Sequence, residues 1–229
     1  MSTELISIDK VTVSAILGGS LKSIFPELYR LNEVVESQDW HDDQSVFDHS
    51  IKTAQAIDSI AEFDFLESEA RQFLRNYLDE MIGTHTRLEL LKFAALFHDI
   101  GKNETLYHKP NGDTSCPSHA VIGGIDIAII LTRVTLSHEE RIYIRKLIAE
   151  HLLPSDIIEV GINNKMLDRQ ILRRIEKCCA GYTIEAIVLS YADWLGCQVR
   201  DTVVVELNER VKVAQACLSY LSKDIKVYE

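Results

Sequence analysis

Turn-forming residues are scarce in this 229-residue chain, which has ten glycines and four prolines. Long period-2 alternation is missing as well, so an architecture of many short strands is not expected. Long apolar runs are absent. The longest nearly apolar stretch, residues 120–131, is too short to span a bilayer and carries Asp126. Basic charge is in deficit, with 24 Lys and Arg against 35 Asp and Glu, a formal net charge of −11. That balance excludes a broad, nonspecific grip on duplex DNA or an anionic membrane. It leaves room for a local basic group to bind one phosphate.

The cysteines are few and badly spaced for a scaffold. Cys116, Cys178, Cys179, Cys197 and Cys217 are odd in number and contain no C-x-x-C pair. The adjacent Cys178 and Cys179 have poor geometry for an ordinary disulfide. A four-thiolate zinc site is therefore excluded, and reduced, mostly buried thiols are expected. The first ten residues show neither a basic n-region nor an apolar h-region, so no signal peptide and a cytoplasmic location are expected.

What is present is helical spacing. The hydrophobic fraction of 46% and charged fraction of 26% suit a soluble globular chain. At ~100–200 residues per domain, one all-α domain over residues 1–229 is the economical expectation. Apolar periodicity predicts helices over about 45–61, 67–82, 86–99, 118–133, 137–152, 164–178, 182–195 and 202–221, with further helix in the first 35 residues. Ser45 and Asp48 read as a capping box, Ser118 as an N-cap, Gly101 as a stop, and Pro154 as the close of a helix ending near His151. Val204, Leu207, Val211, Ala214, Leu218 and Leu221 form a heptad stripe, expected to pack on the core, with a homodimer seam as the alternative. Residues 102–117, with two prolines and a glycine between strong helices, read as a long functional loop.

Eight histidines occur, and none is informative alone. The segment 93–102 is nearly apolar until it ends in His98 and Asp99, followed by Gly101 and Lys102. A carboxylate in apolar surroundings at a helix C-terminus is disfavoured twice, by burial and by the helix dipole. A bound cation reverses both penalties. Asp193 repeats the situation in the last turn before Gly196, with ion pairing to Arg169, Arg173 or Arg174 as the competing reading. His49 lies on an inward face with Val46, Thr53, Ala56 and Ile60. His119 opens a helix, where a solvated first-turn residue is the plain alternative. His151 closes one, where a dipole interaction is the plain alternative. Mixed imidazole and carboxylate donors suit Mn, Fe, Co, Ni or Zn, and Mg less well.

The order His49, His98-Asp99, Asp193, with Gly101 and Lys102 behind the pair, resembles the HD-domain superfamily of metal-dependent phosphohydrolases. Three segments narrow the resemblance: Phe25 to Leu28, Asp39-Trp40-His41-Asp42, and Val46 to Ser50. With 93–102, Gly112 to His119, Arg133 to His151, and Leu167 to Asp193, they are similar to the HD region of bacterial tRNA nucleotidyltransferases, the CCA-adding enzymes. The similarity covers about residues 25–196, leaving N- and C-terminal helical extensions. It departs where Ser118-His119-Ala120 stands for the family's glycine-histidine-glutamate. No paired-carboxylate D-x-D and no Gly-rich nucleotide loop of the nucleotidyltransferase head are found, so CCA addition is not expected.

The resemblance implies an all-α fold in which His49, His98, Asp99 and Asp193 hold one divalent metal. It gives His119 and His151 to a second metal, with Asp99 bridging, or to a substrate phosphate. The implied activity is hydrolysis of a nucleotide or RNA-terminal phosphoester, of the 2′,3′-cyclic or 2′-phosphate class, by metal-bound hydroxide. Catalytic roles fall to Asp99 and Lys102, the latter placed to neutralise phosphoryl charge or else simply solvated at a helix end. His108, Lys109 and Arg133 are lesser candidates for phosphate contact. The rival readings are an HD nucleoside 5′-monophosphatase and a non-catalytic module that binds a nucleotide or RNA.

Overall fold

The computed structural model describes residues 5–224. The first four residues of the chain, and residues 225–229, lie outside them. The architecture is all-α, as the spacing predicts, with only short two-stranded ribbons beside the helices.

The helices are α1 (Val13–Leu17), α2 (Pro26–Arg30), α3 (Val46–Ile60), α4 (Ser68–Leu78), α5 (Arg87–Phe97), α6 (Lys102–Thr105), α7 (His119–Ile130), α8 (His138–Ala149), α9 (Leu152–Asn163), α10 (Asp168–Cys178), α11 (Thr183–Gly196) and α12 (Val204–Asp224). The ribbons pair β1 (Val35–Gln38) with β2 (His41–Ser45), β3 (Met81–Ile82) with β4 (His85–Thr86), and β5 (Tyr107–His108) with β6 (Thr114–Ser115), all antiparallel. Among the described residues no helix is long and apolar enough to cross a membrane.

α5 is the central element. Leu90, Leu91 and the run from Phe93 to Phe97 are all buried, so the helix is enclosed on nearly every side. Phe93 and Phe97 stack at 4.7 Å, and Phe25 packs edge-on against Phe97 at 5.4 Å. α3, α8 and α11 lie around α5, and one continuous apolar cluster runs from Ile8 to Leu221. The heptad stripe of α12 turns inward at its C-terminal half, where Ala214, Leu218 and Leu221 join that cluster. In its N-terminal half Leu207 and Val211 pack against the cluster half-buried, and Val204 is exposed.

Local chemistry sets the helix starts. The Ser45 hydroxyl accepts the Asp48 N–H at 3.1 Å, so Asp48 contributes its backbone rather than its carboxylate. Thr86 with Glu89 and Ser137 with Glu140 form complete capping boxes for α5 and α8. Three sequence expectations need correction. Ser118 sits at the N-cap of α7 but makes no side-chain cap bond, because its backbone is left-handed, with φ of 61°. Pro154 does not close a helix. It lies in the first turn of α9, where its missing N–H has no intrahelical acceptor to lose. Residues 102–117 are not an open loop: they form α6 and then the β5–β6 hairpin, turned at Gly112 with φ of 92°. The hairpin is tied to β1 by the Ser37 N–H bond to Thr114 Oγ1, 2.9 Å.

Candidate metal centre

Five separate elements deliver side chains to one point. α3 contributes His49. The turn after α5 contributes His98 and Asp99. The first turn of α7 contributes His119. The tight junction of α8 and α9 contributes His151, and the last turn of α11 contributes Asp193. Gly101 is what lets the α5 end meet α7. A Cβ there would stand 2.2 Å from the His119 carbonyl oxygen and 2.5 Å from Gly123 N.

Asp99 lies at the middle. Its Oδ2 is 3.4 Å from His49 Nε2 and 3.3 Å from His98 Nε2. Its Oδ1 is 3.1 Å from His119 Nε2 and 3.7 Å from His151 Nε2. Each oxygen thus faces its own pair of imidazoles. Asp193 Oδ1 completes the first pair, 2.8 Å from His49 Nε2 and 3.4 Å from His98 Nε2. Asp193 therefore pairs with histidines, and not with Arg169, Arg173 or Arg174.

The tautomers follow from what the other ring nitrogens touch. Nδ1 of His98 meets the Ala95 carbonyl at 2.8 Å. Nδ1 of His119 meets that of Cys116 at 2.7 Å, and Nδ1 of His151 that of Ile148 at 2.8 Å. A carbonyl only accepts, so all three Nδ1 atoms carry the proton and donate it. As neutral rings, their Nε2 atoms present lone pairs, aimed inward. His49 and His98 face each other through Nε2 at 3.2 Å, and His119 and His151 at 3.3 Å. Between His119 and His151, opposed lone pairs at that distance repel unless a cation lies between or beside them. Both Asp99 oxygens are buried, and Oδ2 also meets the Lys102 ammonium at 2.9 Å. Asp99 and Glu36 share one ammonium, Lys102, and Asp193 adds a third carboxylate to the same cavity. A bound cation offsets this excess of carboxylate charge. On donor type, orphaned lone pairs and charge, these residues fit a divalent metal.

The fields inside the cluster point the same way. Burial opposes a charged His98, but Asp99 and Asp193 outweigh it and push its pKa up to about 10. Burial, with His98 and His119, pulls His151 down to about 3. Burial would raise Asp99, yet His98 and Lys102 hold it well below the usual carboxylate range. The site demands positive charge near His98 and tolerates none on His151.

Lys102 is neither solvated nor free. It is buried, with Nζ 2.9 Å from Asp99 Oδ2 and 2.5 Å from Glu36 Oε2. Burial opposes its charge, but those two carboxylates hold its pKa well above the ordinary lysine value. Lys102 borders a cavity of about 300 Å³ together with Asp99, His119, His151 and Asp193. The outer wall of that cavity holds Trp40, Trp194 and Arg210. Arg210 lies 4.7 Å over the Trp40 ring and is fixed by Glu159, Glu206 and Ser155.

A profile of the HD domain matches residues 46–196, well over half of the chain. The chain belongs to the HD domain family. That HD span begins at α3 with His49 and ends at Gly196 after Asp193, so it contains all six residues of the cluster. HD domains are metal-dependent phosphohydrolases, and the histidine–aspartate cluster is of the kind that holds their metals. No curated protein matches the chain.

Three weaker candidates fall elsewhere. Arg133 is committed to Glu27 by a bidentate pair of 2.7 and 2.8 Å and also donates to the Ile24 carbonyl, remote from the HD cavity. His108 and Lys109 sit exposed on the β5–β6 hairpin, outside the cavity lining. Conversely, Glu36, Trp40, Trp194 and Arg210 are site components that sequence reasoning misses. Glu36 stands in a short polar hairpin whose burial no helical period reveals, and Arg210 comes from α12, beyond the HD span. Trp40 and Trp194 flank His41 and Asp193 in sequence, and that adjacency is the one signal for them.

Proposed function

We propose that this HD domain hydrolyses the phosphoester of a nucleotide or RNA terminus, of the 2′,3′-cyclic or 2′-phosphate class. The observation that carries the reading is Asp99: a buried carboxylate set between two imidazole pairs and beside Lys102, opening onto a cavity of about 300 Å³. His49, His98, Asp99 and Asp193 would hold one divalent ion, and His119 and His151 with Asp99 a second. Bound there, such ions supply Lewis acidity toward phosphoryl oxygen and an activated water. The metal identity is one of Mn, Ni, Co, Fe or Zn by donor type, with Mg compatible.

The chain's own residues supply the rest. Lys102, fixed by Glu36, offers its ammonium to the non-bridging oxygens of the phosphoryl group and stabilises charge that grows there. Backbone carbonyls of Ala95, Cys116 and Ile148 fix the imidazole rings, so little reorganisation remains for the reaction. Both tryptophans of the chain, Trp40 and Trp194, line the cavity, with Arg210 laid over the Trp40 ring, and they give its wall an apolar surface. Asp156 at the same cavity disfavours a polyanionic chain, which supports a mononucleotide or a strand end over the body of an RNA. The similarity of residues 25–196 to the HD region of CCA-adding enzymes supports the 2′,3′-cyclic and 2′-phosphate class.

The test is hydrolysis of 2′,3′-cyclic AMP by metal-stripped protein resupplied with Mn, Ni, Co or Mg, beside Asp99→Ala. Metal-dependent turnover that the variant lacks is expected. Turnover of 5′-monophosphates alone would replace this substrate class with that of a monophosphatase. Tight nucleotide binding without turnover of any ester would make the protein a binding module.

A further inference from the structure

His49 uses only one of its ring nitrogens in the cluster around Asp99. Its Nε2 lies 2.8 Å from Asp193 Oδ1, so in the metal-free protein that nitrogen carries the proton and donates it to the carboxylate. Nδ1 is then a lone pair. It is completely buried and has no hydrogen-bond partner. An orphaned acceptor of this kind is costly unless something occupies the space it faces.

The end of α11 lies against it at Gly196. A ring nitrogen of His41, the Sγ of Cys197 and a ring nitrogen of His49 lie within 4.8 Å of one another. The His41 and His49 rings meet edge to face at 4.8 Å between centroids. Cys197 is brought here by the end of α11. Gly196 packs so closely on α3 that a Cβ would stand 3.2 Å from His49 Nδ1 and 2.3 Å from Thr53 Oγ1. Any other residue at 196 would push the thiol away. Both His41 and Cys197 border the cavity, so an ion can reach them from solvent.

We propose that Cys197, His41 and His49 Nδ1 form a separate site for a thiophilic cation such as Zn²⁺, and that this site competes with the Asp99 centre for His49. One sulfur and two imidazoles suit zinc far better than Mn or Mg. The Cys197 S–H, which donates to the Asp193 carbonyl at 3.3 Å, gives its proton to solvent as the metal–sulfur bond forms. His49 keeps its Nε2 proton on Asp193, so one proton leaves per ion bound and no redox partner is needed. A neutral imidazole has one lone pair. With Nδ1 on the thiophilic ion, Nε2 is protonated and unavailable to an ion beside Asp99. The site therefore works as an inhibitory switch: zinc at Cys197 removes one ligand from the hydrolytic metal. This regulatory consequence rests on the function proposed above; the ion site itself does not.

The experiment uses Co²⁺ as a spectroscopic stand-in for zinc. Full-length, metal-stripped protein titrated with Co²⁺ should develop a thiolate-to-cobalt charge-transfer band in the near ultraviolet. Cys197→Ser should abolish that band, His41→Ala should weaken it at least tenfold in apparent affinity, and Cys178→Ser should leave it unchanged. Zn²⁺ should bleach it. Circular dichroism checks that each variant folds. No band in folded wild-type protein, or a band that survives in Cys197→Ser, overturns the site. Hydrolysis is read separately. Zn²⁺ inhibition of the Mn²⁺-loaded protein that Cys197→Ser relieves supports the switch. A band without any hydrolysis would overturn the proposed activity and leave the ion site standing.

Discussion

His119 and His151 face each other through Nε2 at 3.3 Å while each anchors its Nδ1 proton on a backbone carbonyl. Two imidazoles fixed in that way cannot hydrogen-bond to one another as neutral rings. They are pre-set lone-pair donors, and the same logic applies to His98, whose Nδ1 is bound to Ala95. The backbone carbonyls of Ala95, Cys116 and Ile148 therefore fix the protonation pattern that metal ligation needs.

Metal binding should then register as stability. At a free metal concentration of 100 Kd, a native-state ligand stabilises by about 2.7 kcal/mol, which for a chain of this size is roughly 5–10 °C in Tm. Mn²⁺ added to stripped wild-type protein is expected to raise Tm by that amount in a calorimetric scan. Asp99→Ala removes the carboxylate both imidazole pairs face, so its Tm should not respond, and hydrolysis should fall by at least ~10²-fold.

Glu36 and Lys102 form a buried ion pair at 2.5 Å beside Asp99. Removing one partner of a buried pair costs about 3–5 kcal/mol, because the other charge is left unmatched. Glu36→Gln should lose part of that stability in urea unfolding, because Asp99 still faces Lys102 at 2.9 Å. Glu36→Gln combined with Lys102→Met should be less destabilised than the sum of the single variants. Additive losses would show that the two charges do not depend on each other.

Gly101 is the contact point of α5 and α7. A methyl group there cannot coexist with the His119 carbonyl and Gly123 N at 2.2 and 2.5 Å. Gly101→Ala should cost about 1–3 kcal/mol through overpacking and should shift His119 away from Asp99. Mn²⁺ stoichiometry is expected to fall from two ions to one. Unchanged stability and stoichiometry would place the two helices further apart.

Far from the site, Glu140 predicts an acid response. It is buried and accepts N–H bonds from Ser137, Thr84 and His85. Burial alone would raise its pKa, but these bonds dominate and lower it to about 2 from an ordinary 4.5. A folded pKa below the unfolded one means stabilisation that is complete above the unfolded value and lost as pH falls toward the folded one. The gap between those two values corresponds to about 3 kcal/mol. The stability difference between wild type and Glu140→Gln should be largest near pH 6 and shrink by that amount between about pH 5 and pH 2. A difference that does not vary with pH would contradict the assignment.

Much of the helical framework is legible in the amino-acid sequence. Apolar spacing locates α3, α5, α7, α8, α10, α11 and α12 to within a few residues, although α5 is buried nearly all round rather than along one face. The His98-Asp99 pair stands out because a charged pair ends an apolar helix. α9 escapes notice because Pro154 reads as a terminator, although a proline in the first helical turn costs no hydrogen bond. Ser118 reads as a capping side chain, which its left-handed backbone prevents. Arg133 looks available for phosphate because Glu27, its partner, is 106 residues away in sequence. Glu36 is invisible for the same reason: its partner, Lys102, lies on another element, and only the tertiary fold brings the charges together.

The central claim is that Asp99 sits between two metal positions, one toward His49, His98 and Asp193 and one toward His119 and His151. Anomalous difference maps from crystals of Mn²⁺-loaded protein, collected at the manganese edge, test it most directly. Two peaks, on either side of the Asp99 carboxylate, are expected. Manganese absent from both positions, with the protein loaded in solution, would contradict the account.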